Sequence, residues 1–212
     1  GVTIRDSGSL NKRGRNNSSG GILLEEGTAD FVVRRCKLEN VLGNGVWTHS
    51  RAGSPRARDG VIAENEFHNI GRDAIQVGHA TRILVENNQG SRIGYPVDVV
   101  DIEGRAYPVG IDTAGNTDES TYLNNRFEEI NGKCIDLDGF HHGTVRGNRC
   151  TNRGTASDYP LGHFGIIMNN TNPAMISEKI VIEDNVVDGA LYGGLFLIGS
   201  GHTVRRNRFV RL

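Results

Sequence analysis

The chain has 212 residues, a formal net charge of -1 at pH 7 and a hydrophobic share of 36%, which is enough for one domain with a sizeable core. The near-neutral charge and the lack of any Lys or Arg run give no basis for nucleic-acid binding. Because no apolar stretch approaches the length of a membrane span, we expect no membrane-spanning segment.

An asparagine followed two positions later by an apolar residue recurs along the chain. The clean pairs are Asn65/Phe67, Asn125/Phe127, Asn148/Cys150, Asn185/Val187 and Asn207/Phe209. Two further pairs keep the phase with a substitution, and one weaker member precedes them: Cys36/Leu38, Asn87/Gln89 and Ser7. The shortest intervals are 22 residues, which is typical of one coil of a β-solenoid, and the longer intervals add loops.

Short strands accompany this repeat. One set begins at Gly21-Ile-Leu-Leu and recurs at Gly45-Val-Trp-Thr, Ala74-Ile-Gln-Val, Gly110-Ile-Asp-Thr, Cys134-Ile-Asp-Leu, Gly165-Ile-Ile-Met and Gly194-Leu-Phe-Leu. Since strand side chains alternate between faces, the second and fourth residues are predicted to point inward and the third outward. A third short strand precedes most of the asparagines, as at Val61-Ile-Ala and Ile180-Val-Ile.

The predicted fold class is all-β: a single-stranded parallel β-helix of about seven turns that forms one domain over residues 1–212. A helical fold is disfavoured because no segment keeps the i, i+3, i+4 apolar spacing over three turns, and Gly contributes 29 residues. Both ends enter coil strands without a capping element. We therefore expect a fragment of a longer chain, or a partner or second copy covering an end.

The Asn-x-Phe turns, the Gly-Ile-x-Leu strands and the segment from Asp138 to Asn148 resemble the right-handed parallel β-helix repeats of the pectin-lyase-like superfamily. The resemblance covers nearly the whole chain and implies a right-handed coil. That superfamily includes pectate lyases, polygalacturonases, alginate epimerases, phage tailspikes and non-catalytic surface proteins. The resemblance is therefore specific for the fold and leaves the function open.

The catalytic motifs of two enzyme families in that superfamily are missing. Asn116-Thr117-Asp118 is similar to the Asn-Thr-Asp motif of polygalacturonases, but the paired Asp, the Gly-His-Gly and the Arg-Ile-Lys segments that should follow do not occur. The Asp-Pro-His motif of alginate epimerases does not occur either. No catalytic residue is therefore transferred from these families.

Insertions are predicted to surround one sheet face. They lie at about residues 8 to 20, 50 to 59, 90 to 109, 152 to 164 and 169 to 178, next to the Gly-Ile-x-Leu strands. A groove between loops on a rigid sheet is suited to hold a ligand. The outward positions of this sheet form two columns: Leu23, Trp47, Gln76, Asp112, Asp136, Ile167, Phe196 and Glu25, His49, Gly78, Ala114, Asp138, Asn169, Ile198.

Asp112 and Asp136 are the leading catalytic candidates. In the predicted register they lie in adjacent coils, about 4.8 Å apart at the backbone. Two such close carboxylates resist ionising together, which yields an acid beside a base. Asp138, His142 and His163 are candidate assisting residues. Solvated surface carboxylates are the alternative, since repulsion in water is only about 1 kcal/mol at 4 Å.

Side chains around these carboxylates suit a sugar chain. Aromatic rings can stack on sugar rings, and polar groups can bond to hydroxyls. The candidate substrate-binding residues are Trp47, His49, Gln76, Asn169, Phe196 and Arg105. Asp98, Asp101 and Glu103 could bind Ca²⁺ through oxygen ligands, but their spacing matches no Ca²⁺ loop, so a plain acidic loop is the favoured interpretation. No cofactor is required by the sequence.

Three cysteines, Cys36, Cys134 and Cys150, fall at inward positions and are interpreted as buried apolar groups, so they do not decide the compartment. Two functions remain open. One is a secreted or envelope-associated polysaccharide hydrolase or lyase with Asp112 and Asp136 at its centre. The other is a non-catalytic β-helix that binds polysaccharide, adheres or serves as a scaffold.

Overall fold

The computed structural model describes residues 1–8, 20–96, 107–170 and 172–212. The strands in chain order are β1 (Thr3–Ser7), β2 (Ile22–Glu25), β3 (Val32–Arg34), β4 (Lys37–Val41), β5 (Val46–His49), β6 (Ala57–Ala63), β7 (Glu66–Ile70), β8 (Ile75–Glu86), β9 (Gln89–Ile93), β10 (Val109–Asp118) and β11 (Thr121–Leu123). They continue as β12 (Arg126–Ile130), β13 (Gly132–Asp136), β14 (Phe140–His141), β15 (Thr144–Arg146), β16 (Arg149–Thr151), β17 (His163–Ile167), β18 (Val181–Glu183), β19 (Val186–Asp188), β20 (Gly193–Leu195), β21 (Thr203–Arg205) and β22 (Arg208–Val210).

The strands form two parallel sheets, which confirms the predicted coil. In the described residues, one sheet has eight strands in the order β1-β4-β7-β9-β12-β16-β19-β22, one from each coil. The other has fourteen strands, because most coils contribute two segments to it. The eight-stranded sheet therefore gives about eight coils, one more than the sequence predicts. No helix among the described residues is long and apolar enough to cross a membrane.

A ladder of asparagines joins the same bend of successive coils, and all but the last member are buried. Each side-chain amide except the last donates to the Oδ1 of the next asparagine at 2.9 to 3.1 Å, in the order Asn65, Asn88, Asn125, Asn148, Asn185 and Asn207. Each of the same amides also donates to a backbone carbonyl, as Asn125 does to Val85 O at 2.9 Å. Buried amides are therefore satisfied by each other and by the turning backbone.

Two residues predicted to belong to the asparagine column, Asn87 and Ser7, lie outside it. The ladder contains Asn88 rather than Asn87, which is exposed with a φ of 53°. Gly90 takes the apolar position of that coil, where an added Cβ would lie 2.4 Å from the Phe127 ring. Ser7 pairs with Val41 and so lies outside the column. The Asn-x-apolar pattern does not show this coil correctly, because the Phe127 ring of the next coil fills the core position that a side chain of this coil would otherwise occupy.

The inward side chains form one continuous core between the sheets. Leu38, Phe67, Phe127, Cys150 and Val187 stack from coil to coil and are at most 4% exposed. This column is stabilised by apolar burial that each coil supplies to the next. The core therefore makes a rigid support for the outer face of the fourteen-stranded sheet.

Candidate functional site

The outer face of the fourteen-stranded sheet carries the predicted column in register. Trp47 pairs with Gln76, and Gln76 pairs with Asp112. The pairing of Ile111 with Ile135 sets Asp112 beside Asp136 in the next coil. These positions follow from the pleat, since the flanking isoleucines are fully buried in the core.

Asp112 is held by a chain of amides from the preceding coils. Gln76 Nε2 donates to Asp112 Oδ2 at 2.9 Å, and Asn44 Nδ2 donates to Gln76 Oε1 at 2.6 Å. Both amides are buried, whereas Asp112 keeps part of its surface exposed. Gln76 therefore fixes the orientation of the Asp112 carboxyl group.

Asp136 forms an ion pair with Lys133, whose Nζ donates to Asp136 Oδ2. Asp136 is only 4% exposed, and its second oxygen, Oδ1, is buried without a hydrogen-bond partner among the described residues. Lys133 is similarly buried. The attraction of this cation opposes burial, which disfavours the charged form of Asp136.

Asp138 is positioned by the loop that follows β17. Its Oδ1 accepts from the backbone N–H groups of Asn169 at 2.8 Å and Asn170 at 3.0 Å. With the Asn169 amide oriented to suit its neighbours, the amide nitrogen donates to Asp138 Oδ2 at 2.7 Å and the oxygen accepts from Lys133 Nζ at 3.1 Å. Asn169 therefore connects Asp138 with Lys133.

Two residues at the entry to β8 add a further charge of each sign. Asp73 is buried, and its Oδ1 accepts from Val109 N at 3.0 Å. The adjacent Arg72 is also buried and attracts both Asp73 and Asp112. Four carboxyl groups therefore outnumber two cations in what we call the acid cluster: Arg72, Asp73, Asp112, Lys133, Asp136 and Asp138.

Burial and mutual repulsion change the acidity of this cluster. Burial first, and then the negative charge of Asp73, raise the pKa of Asp112 to about 8. Burial also raises the pKa of Asp136 to about 8, despite the attraction of Lys133. The pKa of Asp73 rises to about 6 for the same reason, against the attraction of Arg72. The cluster therefore retains exchangeable protons near neutral pH.

Lys133 remains charged in this setting. Burial acts to lower the pKa of Lys133, but the attraction of Asp136, Asp112 and Asp138 raises it above the ordinary lysine value. Its ammonium group also lies 5.9 Å from the centre of the Tyr107 ring. The cluster thus combines a permanent cation with carboxyl groups that can hold or release a proton, which is the combination that acid–base chemistry uses.

A pocket of about 320 Å³ lies on the N-terminal side of the cluster. Trp47, His49, Gln76 and His79 line it, together with Arg51 in the loop after β5. The rings of Trp47 and His49 are 4.3 Å apart. Burial, then the nearby Arg56, lowers the pKa of His79. The structure therefore brings the predicted contacts Trp47, His49 and Gln76 together in one concavity.

The two histidines predicted to assist catalysis lie in different settings. His163 is fully buried, with its ring 4.2 Å from that of Tyr159 and 5.8 Å from that of Tyr192. Its Nδ1 faces Gly189 O at 3.3 Å, so the contacts of its ring in the described part of the chain are with aromatic and backbone groups. His142 is exposed and lies 3.4 Å from Glu178. Their catalytic roles stay predictions without a structural contact to Asp112 or Asp136.

Phe196 lies on the C-terminal side, one coil beyond Ile167. Its side chain is 44% exposed. The remaining predicted contact, Arg105, and the predicted Ca²⁺ ligands Asp98, Asp101 and Glu103 lie outside the described residues. Within the described ranges, no group of three or more His, Cys, Asp or Glu side chains is arranged to hold a metal ion.

The two sheets, the asparagine ladder and the outward column agree with one family description. Residues 20–210 match the family described as "Right handed beta helix region". The chain belongs to the right-handed β-helix family.

Solved β-helix structures resemble this one at low sequence identity. PfbA, a surface adhesin of Streptococcus pneumoniae, has a TM-score of 0.68 and 15% identity, over 98% of this chain and 55% of that chain. The Agl-KA catalytic domain has a TM-score of 0.60 and 18% identity, over 86% and 33%. The GH136 lacto-N-biosidase from Eubacterium ramulus has a TM-score of 0.58 and 15% identity, over 87% and 36%.

These likenesses show the fold alone, and this β-helix spans about half or less of the length of each matched chain. A search of curated protein sequences found no match.

Sequence reasoning missed three charged members of the acid cluster in this β-helix: Arg72, Asp73 and Lys133. All three lie at or just before the start of a Gly/Ala/Cys-Ile strand, in Gly71-Arg-Asp-Ala and Gly132-Lys-Cys. Charged residues are rarely fully buried without a partner. A charged residue directly beside an inward-facing strand is therefore the sequence feature that could have indicated these three members.

Proposed function

We propose that this β-helix hydrolyses a glycosidic bond in an uncharged polysaccharide, with Asp112 and Asp136 as the reacting carboxyl groups. The observation that supports the proposal is the acid cluster: two adjacent outward carboxyls whose pKa values are both raised to about 8 on one sheet face. Glycosidases use such a carboxyl pair, one as a proton donor and one as a base or nucleophile.

The contacts favour different roles for the two carboxyls. Of the two carboxyl groups, Asp136 is the one bonded to a cation, and Lys133 opposes the effect of burial on its pKa, so Asp136 suits the base or nucleophile once it has lost its proton. Asp112 receives its hydrogen bond from a neutral amide and is repelled by Asp73, so it suits the proton donor. Asp138, held by two backbone N–H groups, would accept a hydrogen bond from a sugar hydroxyl.

The charge balance favours hydrolysis of an uncharged chain over elimination from a uronate. Four carboxyl groups face two cations, and Lys133 is already bonded to Asp136 and, through the oriented amide, to Asn169. A uronate carboxylate at this place would have to compete with Asp136 for the Lys133 ammonium, and each carboxyl group that is ionised would repel it.

Localisation is part of the proposal. We place the protein outside the cell or at its surface, because a disulfide joins Cys134 and Cys150 and disulfides persist mainly in oxidising compartments. The similarity to a surface adhesin is compatible with this placement. Cleavage of a polysaccharide would then occur where such polymers are found.

The decisive experiment is a cleavage assay with matched variants. Pectin, alginate, glycosaminoglycans and neutral plant polysaccharides are incubated with the protein, in Ca²⁺ and in EDTA, and both new reducing ends and unsaturated uronates are measured. We expect reducing ends from a neutral polymer, and at least about a hundredfold lower rate in Asp112→Asn and Asp136→Asn. The control is Asp59→Asn, because partly exposed Asp59 pairs with Arg82 away from the site.

Equal rates in the wild type and in both Asn variants would contradict the proposed roles. Uronate products that require Ca²⁺ would instead favour a lyase and the predicted ligands Asp98, Asp101 and Glu103.

A binding module without catalysis is the second candidate. The observation in its favour is the near-complete burial of Asp136 against Lys133, which a structural ion pair would also show. The similarity to an adhesin over 98% of this chain fits the same interpretation. Glycan binding without any cleavage across the panel would support this candidate and contradict the first.

A further inference from the structure

An aromatic surface adjoins the acid cluster on its C-terminal side. The Phe164 ring stacks on the Tyr192 ring, with centres 5.4 Å apart and planes at 28°. The Phe196 ring meets Phe164 edge-on at 6.4 Å, and the Tyr107 ring lies 6.0 Å from that of Phe164. We call Tyr107, Phe164, Tyr192 and Phe196 the aromatic platform.

The platform is exposed where a folded protein normally buries such rings. Tyr192 is 56% exposed and Phe196 is 44% exposed, and they flank β20, whose Leu195 packs against the core. Large exposed apolar patches on a folded surface mark binding sites. The rings also carry the Tyr107 and Tyr192 hydroxyls, so the surface can both stack on a ring and form hydrogen bonds.

Local backbone structure holds two of these rings in place. An added Cβ at Gly162 would lie 2.6 Å from the Phe164 ring, and an added Cβ at Gly193 would lie 2.3 Å from the Phe196 ring. Both glycines have φ near +138°, which other residues rarely adopt. The same device occurs in two successive coils. The Phe164 and Phe196 rings therefore occupy space that only a glycine leaves open at these positions.

Strand register connects the platform with the acid cluster. Phe164 pairs directly with Lys133, and Phe164 pairs in turn with Gly193 in the following coil. The Lys133 ammonium lies near the Tyr107 ring and also bonds to Asp136. An extended ligand on Asp112 and Asp136 that continues towards the C-terminal coils therefore meets the platform next, with adjacent coils about 4.8 Å apart.

We propose that the aromatic platform is a glycan-binding subsite that holds the sugars lying beyond the acid cluster in the direction of the C-terminal coils. The proposal rests on the proposed function, since it assigns the same ligand class to the neighbouring surface. It also gives the bound sugar chain a direction. Rings of uncharged sugars at one end of the chain stack on Tyr192 and Phe196, and the Trp47 pocket receives the other end of the chain. Long chains should therefore bind better than short ones.

The test measures glycan binding without turnover. Asp112→Asn is used as the background, and binding to an array of neutral and acidic oligosaccharides graded by length is compared with Asp112→Asn/Tyr192→Leu, Asp112→Asn/Phe196→Leu and Asp112→Asn/Tyr192→Phe. We expect each Leu variant to weaken binding of hexasaccharides about two- to twelvefold, since an aromatic contact contributes about 0.5 to 1.5 kcal/mol. Disaccharides should be unaffected by the Leu changes, and Tyr192→Phe should retain the affinity for long chains.

The control removes an exposed apolar side chain elsewhere. Val32→Ala in the same background changes a 64% exposed residue on β3, far along the coil from the platform, and should bind as the background does. Unchanged hexasaccharide affinity in both Leu variants would overturn the subsite while leaving the cleavage assay intact. A dimer that the Leu variants dissociate, with no change in glycan affinity, would also overturn it. Absence of any glycan binding in the background protein would overturn the subsite and the proposed function together.

Discussion

At the scale of single residues, the acid cluster is defined by burial. Asp112 and Asp136 lie side by side on an outward sheet face, where an isolated carboxylate would be solvated and of ordinary acidity. Lys133 pairs with Asp136 instead, Asn169 bonds to Lys133 and Asp138, and Asp73 adds a charge from the entry to β8. The proton affinity of the pair is therefore a property of the assembled site rather than of the two aspartates.

The raised pKa of Asp112 predicts how stability depends on pH. In the unfolded chain Asp112 loses its proton near the ordinary aspartate pKa of 3.8, whereas in the folded protein the pKa is about 8. Between these values the folded state holds more protons, so the free energy of unfolding should fall as pH rises from about 4 to about 8. Asp112→Asn should weaken this pH dependence. The drop in the free energy of unfolding between pH 5 and pH 8 should be smaller in the variant than in the wild type, by on the order of a few kcal/mol.

Urea unfolding at pH 5 and pH 8 measures this effect. Asp59→Asn serves as the comparison, because its hydrogen bond with Arg82 lowers the pKa of Asp59, so it titrates below this range. A wild-type stability that is constant or rises between pH 5 and pH 8 would refute the prediction.

At the scale of structural elements, the asparagine ladder joins neighbouring coils. Asn125 accepts from the backbone and side chain of Asn88, donates to Asn148 Oδ1 and donates to Val85 O. All of these partners are buried. The loss of the Asn125 amide therefore removes hydrogen bonds from buried groups in both neighbouring coils.

Asn125→Ala should destabilise the protein strongly. Leaving buried groups without a partner costs about 1 to 3 kcal/mol each, so we expect a loss on the order of 3 kcal/mol in the free energy of unfolding. Gln89→Ala is the matched control, since Gln89 is exposed on a neighbouring strand and should change stability by about 0.5 kcal/mol or less. Thermal and chemical denaturation would measure both, and equal effects would argue against the ladder.

At the scale of the whole molecule, one disulfide crosses the coil. It joins Cys134 in β13 with Cys150 in β16, which belong to different sheets. The interpretation of these two cysteines as separate buried thiols is therefore wrong, and only Cys36 is a free buried thiol. The core is narrow enough for two inward side chains of one coil to meet across it. The asparagine repeat gives spacing along the chain and carries no information about that width.

Removing this disulfide should lower stability by about 3 kcal/mol, since it joins cysteines 16 residues apart in the chain. The variant is the double change Cys134→Ala and Cys150→Ala, compared with Cys36→Ala, and unfolding is measured with and without reductant. Reductant should destabilise the wild type and the Cys36→Ala protein but not the double variant. A wild type that does not respond to reductant under unfolding conditions would contradict the prediction.

The sequence by itself determined the coil, the direction of its strands and the face on which Asp112 lies beside Asp136. These features follow from a short repeat and from the two-residue alternation of a strand, which local sequence records directly. The same logic failed at Asn87, because Gly90 leaves its core position to the ring of Phe127 from the next coil.

Only the tertiary structure decided what surrounds the two aspartates. Lys133, Asp73 and Arg72 lie at or just before the starts of strands, and Tyr107 and Tyr192 lie outside strands, in segments whose direction no periodicity sets. The disulfide likewise depends on the distance across the core. A repeat fixes which residues are neighbours along the coil axis, whereas contacts across the core and between loops depend on side-chain packing in three dimensions.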